Sequence, residues 1–112
     1  MEANLTIENT LVHVGGRKKL PTRNIINMDA DENYTIITMN TGQKIIVATT
    51  LKKIEAKVTD FKNFVRVNKS TILNTDYARL HENTFVLPDK RVVEFSRRKW
   101  KKFQTTIAQQ AS

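Results

Sequence analysis

Apolar and polar residues alternate along most of the chain in short runs, the two-residue period of half-buried β-strands. Such runs are LTIENTLVHV (5–14), NIINMD (24–29), YTIITMN (34–40), KIIVAT (44–49), FVRV (64–67), TILN (71–74), YARLH (77–81), TFVL (84–87) and VVEF (92–95). Thr41-Gly42 separates the third and fourth runs as a hairpin turn, and Pro88-Asp89-Lys90 separates the last two. The period changes twice. In TTLKKIEAKVTDF, Leu51, Ile54, Val58 and Phe61 recur at helical spacing behind Thr50, a suitable N-cap. Near the end, Ser96 can cap a second helix whose Trp100, Phe103 and Ile107 share one face, with Arg98, Lys101 and Lys102 roughly opposite.

This pattern predicts a mainly β, antiparallel fold with one short internal helix and one C-terminal helix. No linker or repeat divides it, so residues 1–112 form one domain, with a core over about 5–107 and a frayed tail at 108–112. Gly15-Gly16 is expected to be a turn with Arg17, Lys18 and Lys19 as a basic rim; it lacks the spacing of a phosphate loop. Asp29, Asp31 and Glu32 lack the glycine and distal glutamate of a calcium loop and read as a surface turn.

Charge narrows the function. There are 19 basic and 11 acidic side chains, a net charge of +8. Residues 1–56 hold 7 basic and 6 acidic groups, whereas residues 57–112 hold 12 and 5. A concentrated positive half attracts a polyanion, usually nucleic acid. The alternative is charge kept for solubility. The absence of cysteine excludes thiolate metal sites, cysteine nucleophiles and disulfides. No apolar run approaches the ~18 residues of a membrane span, and a cytoplasmic location is expected. His13 and His81 have no neighbouring ligands or nucleophile, and no catalytic set can be assembled. Neither an enzyme nor a cofactor nor a small-molecule substrate is implied.

Two stretches carry chemistry. Arg97, Arg98 and Lys99 crowd the first turn of the final helix, where the helix dipole disfavours cations. An anion docked there would reverse the sign of that interaction; the alternative is a solvated face whose long side chains reach away from the dipole. In FVRVNKSTILN (64–74), Asn68-Lys69-Ser70 interrupts two apolar runs. Arg, Asn and Lys are side chains that read base edges in a major groove, while Ser and Arg can hold phosphates. Ordinary hairpin-turn chemistry is the other reading.

With these residues in view, the chain resembles the LytTR-type DNA-binding domains, effector modules of many bacterial response regulators in two-component systems. That family shows Phe-x-Arg-Val-His-Arg-Ser running into an apolar pair and Asn, here Phe64 to Asn74. A second mark is a strand ending in Ser-Arg-Arg, here Ser96-Arg97-Arg98. The third is an intervening helix beginning Ser/Thr-Leu, here Thr50-Leu51. Order and spacing agree from about Arg23 to Phe103. The chain departs from the pattern at Asn68 (usually His), Lys69 (usually Arg) and Lys90 (usually a turn Gly, in a loop expected to lie away from the binding surface). Lys at position 69 gives up the bidentate geometry of Arg.

The resemblance implies an elongated fold of three small antiparallel sheets that inserts loops into successive major grooves of double-stranded DNA. Lys69 and Arg98 stand where the family contacts bases, with Asn33 and Tyr34 in a further contact loop. Arg66, Asn68, Ser70, Arg97, Lys99, Lys101 and Lys102 would hold the DNA backbone. The family's habit of occupying paired sites also implies a homodimer on repeated sites. From other classes, a β-platform for single strands or RNA would need exposed aromatics, and a basic protein-interaction module would need an acidic partner.

Overall fold

The computed structural model describes residues 11–15, 18–61 and 63–111. The first part of the predicted first strand (5–10), Gly16 of the predicted Gly15-Gly16 turn and Arg17 of its basic rim lie outside them. Strands β1 (Leu11–Gly15) and β2 (Lys18–Pro21) form a hairpin, followed by a 3-10 turn at Thr22–Asn24. Strands β3 (Ile25–Asp31), β4 (Tyr34–Met39) and β5 (Lys44–Val47) lead into helix α1 (Leu51–Val58). Strands β6 (Phe64–Asn68) and β7 (Thr71–Asn74) return to the same sheet, whose order is β5-β4-β3-β7-β6. A third sheet, β10-β9-β8, is built from β8 (Arg79–His81), β9 (Thr84–Val86) and β10 (Val92–Glu94). Helix α2 (Arg97–Ala111) ends the described chain. All pairings are antiparallel, and the extents are 40 × 37 × 25 Å.

The expected fold is therefore present: three antiparallel sheets and two helices. Strand β2 is the element that the alternation missed. Lys18, Lys19, Leu20 and Pro21 do not alternate, but pairing with β1 satisfies one edge of this segment, and Pro21 sits at a strand end where a missing donor costs little. Gly15, at the end of β1, is needed for close approach: a Cβ there would run into the Thr49 hydroxyl.

Each face of the five-stranded sheet carries its own core. On one face, Leu51, Ile54 and Val58 of α1 are buried with Ile25, Met28, Ile37, Ile72 and β1's Val12 and Val14. Thr50 caps α1 by accepting from the Lys53 amide. On the other face, Val67 and Leu73 pack with Phe85, Leu87, Val93 and Phe95, and the half-buried Trp100 and Phe103 of α2 close over them. The Ile107 side chain, predicted to share that face, is not among those described.

The turn before β10 carries one departure from the sequence pattern that the chain resembles. Lys90 has φ 72°, in the left-handed region that favours glycine. Lys90→Gly is expected to stabilise the domain by about 0.5 kcal/mol, because relief of left-handed strain exceeds the entropy that glycine loses on folding. The check is a higher urea midpoint with an unchanged slope.

Candidate nucleic-acid interface

The β6–β7 turn and the start of α2 face each other across one groove. Its lining includes Lys69 and Ser70 from the turn, Arg98 and Lys99 from α2, Lys52 from α1 and Arg91 from the β9–β10 connection. Asn68 and Arg66 form part of its wall. Val67 O accepts from the Ser96 amide at 2.8 Å, tying the base of the turn to the cap residue just before the helix. Ser96 Oγ in turn accepts from the Lys99 amide at 3.2 Å, the cap expected from sequence. Loss of that cap in Ser96→Ala should cost about 1 kcal/mol in chemical denaturation, with the fold retained.

Lys69 and Arg98 are exposed, and neither side chain hydrogen-bonds another described residue. Both are free to meet a ligand. Arg66 and Asn68 are placed differently. Arg66 Nε donates to Asn68 O and Nη2 to Lys69 O, each at 2.8 Å, while Nη1 meets Glu55 Oε1 at 2.6 Å. Asn68 Nδ2 donates to Glu94 O at 2.8 Å, and its Oδ1 accepts from the Ser70 amide at 2.8 Å. These bonds shape the turn from behind. Of the five N–H donors a guanidinium carries, Arg66 keeps two.

Asn33 and Tyr34 sit at the β3–β4 turn, where Glu32 adopts φ 55°. The Ala30 amide donates to Ser70 O at 2.8 Å, so this turn projects from the same end of the sheet as the β6–β7 turn. Both residues are exposed but do not line the groove. Arg97 and Lys101 are exposed on α2, also outside it. Lys102 lines a neighbouring concavity with Lys99, Phe61, Phe64 and Phe103.

Two cations of the groove were not singled out in the sequence, Lys52 and Arg91. Arg91 is brought in by Asp29, 62 residues away, through bonds of 2.6 and 2.9 Å. Hydrogen bonding to Asp29 raises the Arg91 pKa above its ordinary value; burial opposes this, and attraction to Asp29 and Asp89 adds to it. Asp29 is fixed by Thr71 Oγ1 at 2.9 Å and Asn27 Nδ2 at 2.8 Å. The Lys90 turn is consequently not remote from the groove, since its next residue lines it. That corrects the expectation from sequence.

Among the described residues no cluster of His, Asp or Glu could hold a metal ion, and no helix is long and apolar enough to cross a membrane. The family model for the LytTr DNA-binding domain matches residues 15–108. Among solved structures, the chain is similar to a LytTr DNA-binding domain from Bacillus cereus, with a TM-score of 0.66 at 15% identity, covering 88% of this chain and 94% of that one. No curated protein sequence matches.

Proposed function

The chain belongs to the LytTR family of DNA-binding domains, and from that premise we propose that it reads duplex DNA sequence-specifically to regulate transcription. The observation that carries this reading is the convergence of Lys69 and Arg98, both exposed, on one groove whose other cations are Lys52, Arg66, Arg91 and Lys99. Lys69 and Arg98 contact base edges, and Asn33 and Tyr34 reach a neighbouring part of the duplex. Ser70, Arg97, Lys99, Lys101 and Lys102 hold phosphates. Arg66 and Asn68 shape the reading turn, with Arg66's two remaining donors available to the DNA backbone.

One feature supports duplex over single strands, and a second supports a phosphate-bearing ligand of either form. Phe85 and Phe95 are buried, Trp100 and Phe103 pack on the second core, and Phe61 and Phe64 pack on the first. Tyr34 is the one aromatic with half its surface exposed, too few for a stacking platform. The cations in the first turn of α2 have no acidic partner in that turn, and a docked phosphate would satisfy them together with the helix N-terminus.

The test is selection of the purified protein against a random duplex library at about 150 mM salt, where exposed charges are screened beyond roughly 8 Å. Enrichment of a short motif repeated about two helical turns apart supports specific readout by a pair of domains. Retention without enrichment reduces the protein to a polyanion binder, and no retention removes duplex DNA as the ligand of the isolated chain.

A further inference from the structure

Glu55 is an anion in the wall of a groove otherwise rich in cations. By charge alone it opposes the approach of DNA. We propose that it is a positioning residue, which sets the shape of the reading turn through Arg66; the inference rests on the DNA-reading role above.

The geometry is a relay of three contacts. Glu55 Oε1 lies 2.6 Å from Arg66 Nη1. The other two faces of the same guanidinium hold the carbonyls of Asn68 and Lys69 at 2.8 Å each. A guanidinium is planar and rigid, so fixing one edge fixes the direction of the other donors. Those two carbonyls flank the peptide that carries Lys69. Their orientation sets where the Lys69 side chain leaves the backbone.

The strand ladder does not do this by itself. Register shifts between Arg66 and Asn68, leaving Val67 as an extra residue, and such bulges re-aim the side chains that follow. Glu55 is well placed to stiffen the bulged turn because its own position is fixed. It follows Ile54, which is fully buried, and Val58 one turn later anchors the same helix. The Arg66 side chain is 15% exposed and that of Glu55 36% exposed, so the guanidinium is the better shielded partner and the carboxylate still meets water.

Opposite signs separate the possible roles of Glu55. If it is only a charge, Glu55→Ala should tighten binding to every duplex. If it positions the turn, Glu55→Ala should lower the ratio of specific to non-specific affinity, on the order of tenfold for the loss of a charge-assisted hydrogen bond. Glu55→Gln, whose amide oxygen can still accept from Arg66, should retain most of that ratio.

The experiment pairs this ratio, measured with the selected duplex and a scrambled one, with amide hydrogen exchange on the free 112-residue chain. The expected result is faster exchange at Ser70, whose amide Asn68 Oδ1 holds, in Glu55→Ala, unchanged exchange in the β3–β4 ladder, and a reduced ratio. Unchanged exchange at the turn overturns the proposal whatever the DNA result. Tighter binding to both duplexes with an unchanged ratio also overturns it, as does accelerated exchange throughout the sheet, which marks a merely structural role. If the wild-type chain prefers no sequence, the DNA-reading premise fails and the specificity role fails with it, while exchange at the turn still reports separately on the brace.

Discussion

Arg98→Ala is expected to flatten base preference at one step of the binding site by about 1–3 kcal/mol, the usual worth of a good side-chain-to-base contact. Arg98 projects from the first turn of α2 into the groove and is exposed, with no described hydrogen-bond partner. Removing it therefore disturbs no internal bond, and the change should appear in selectivity rather than in folding. Lys69→Ala should act in the same way at a different step, since Lys69 comes from the opposite wall. Lys101→Ala provides the contrast. Exposed on α2 but outside the groove, it should weaken all sequences alike and reduce the slope of log K against log salt by about 0.9. The measurement is a repeat of the library selection with each variant, together with a salt titration on one duplex. Uniform loss across sequences for Arg98→Ala and Lys69→Ala would remove both from direct readout.

The contrast between these variants also shows what the sequence could reveal. The stretches that carry the candidate interface were legible from local order. Asn68-Lys69-Ser70 breaks an alternating run, and Arg97-Arg98-Lys99 opens a helix where cations are unfavourable. The helices were legible for a similar reason, because Leu51, Ile54 and Val58 repeat at helical spacing and are all buried. What local order could not supply was the partner of a residue. Arg66 and Asn68 have ordinary phosphate-binding side chains, yet Glu55, 11 residues before one, and Glu94, 26 residues after the other, draw both behind the turn. Arg91 follows a plain turn and becomes part of the groove only because Asp29 reaches it across the fold. Strand β2 escaped for the opposite reason. It is held by its pairing with β1, and its side chains show no period.

Phe95→Ala is expected to be the most damaging single change on the side of the molecule that carries the candidate interface, lowering stability by about 3–5 kcal/mol. Phe95 lies between the end of β10 and the Ser96 cap of α2. Its ring, 5% exposed as a residue, is 5.4 Å from Phe85, 5.2 Å from Trp100 and 4.9 Å from Phe103, centroid to centroid. Phe85 belongs to the three-stranded sheet, whereas Trp100 and Phe103 belong to α2. The ring is thus the filler between helix and sheet. Its removal costs transfer energy and leaves a cavity, and three aromatic contacts are lost with it. A domain of this size is typically stable by only about 5–15 kcal/mol, so the loss is a large share. The remaining cluster still contains Trp100 against Phe103 at 6.1 Å and Phe103 against Phe85 at 5.9 Å, so α2 can persist as a helix while its seat on the sheet loosens. Arg98 and Lys99 would then no longer be held opposite Lys69, and specific binding should fall further than non-specific binding at temperatures where the variant remains folded. Urea unfolding gives the first quantity, and the specific-to-scrambled ratio gives the second. A wild-type unfolding midpoint would mean that the aromatic cluster does not anchor α2. Lost stability with an unchanged ratio would mean that the backbone bond from Ser96 to Val67 O keeps the helix start in register without the ring.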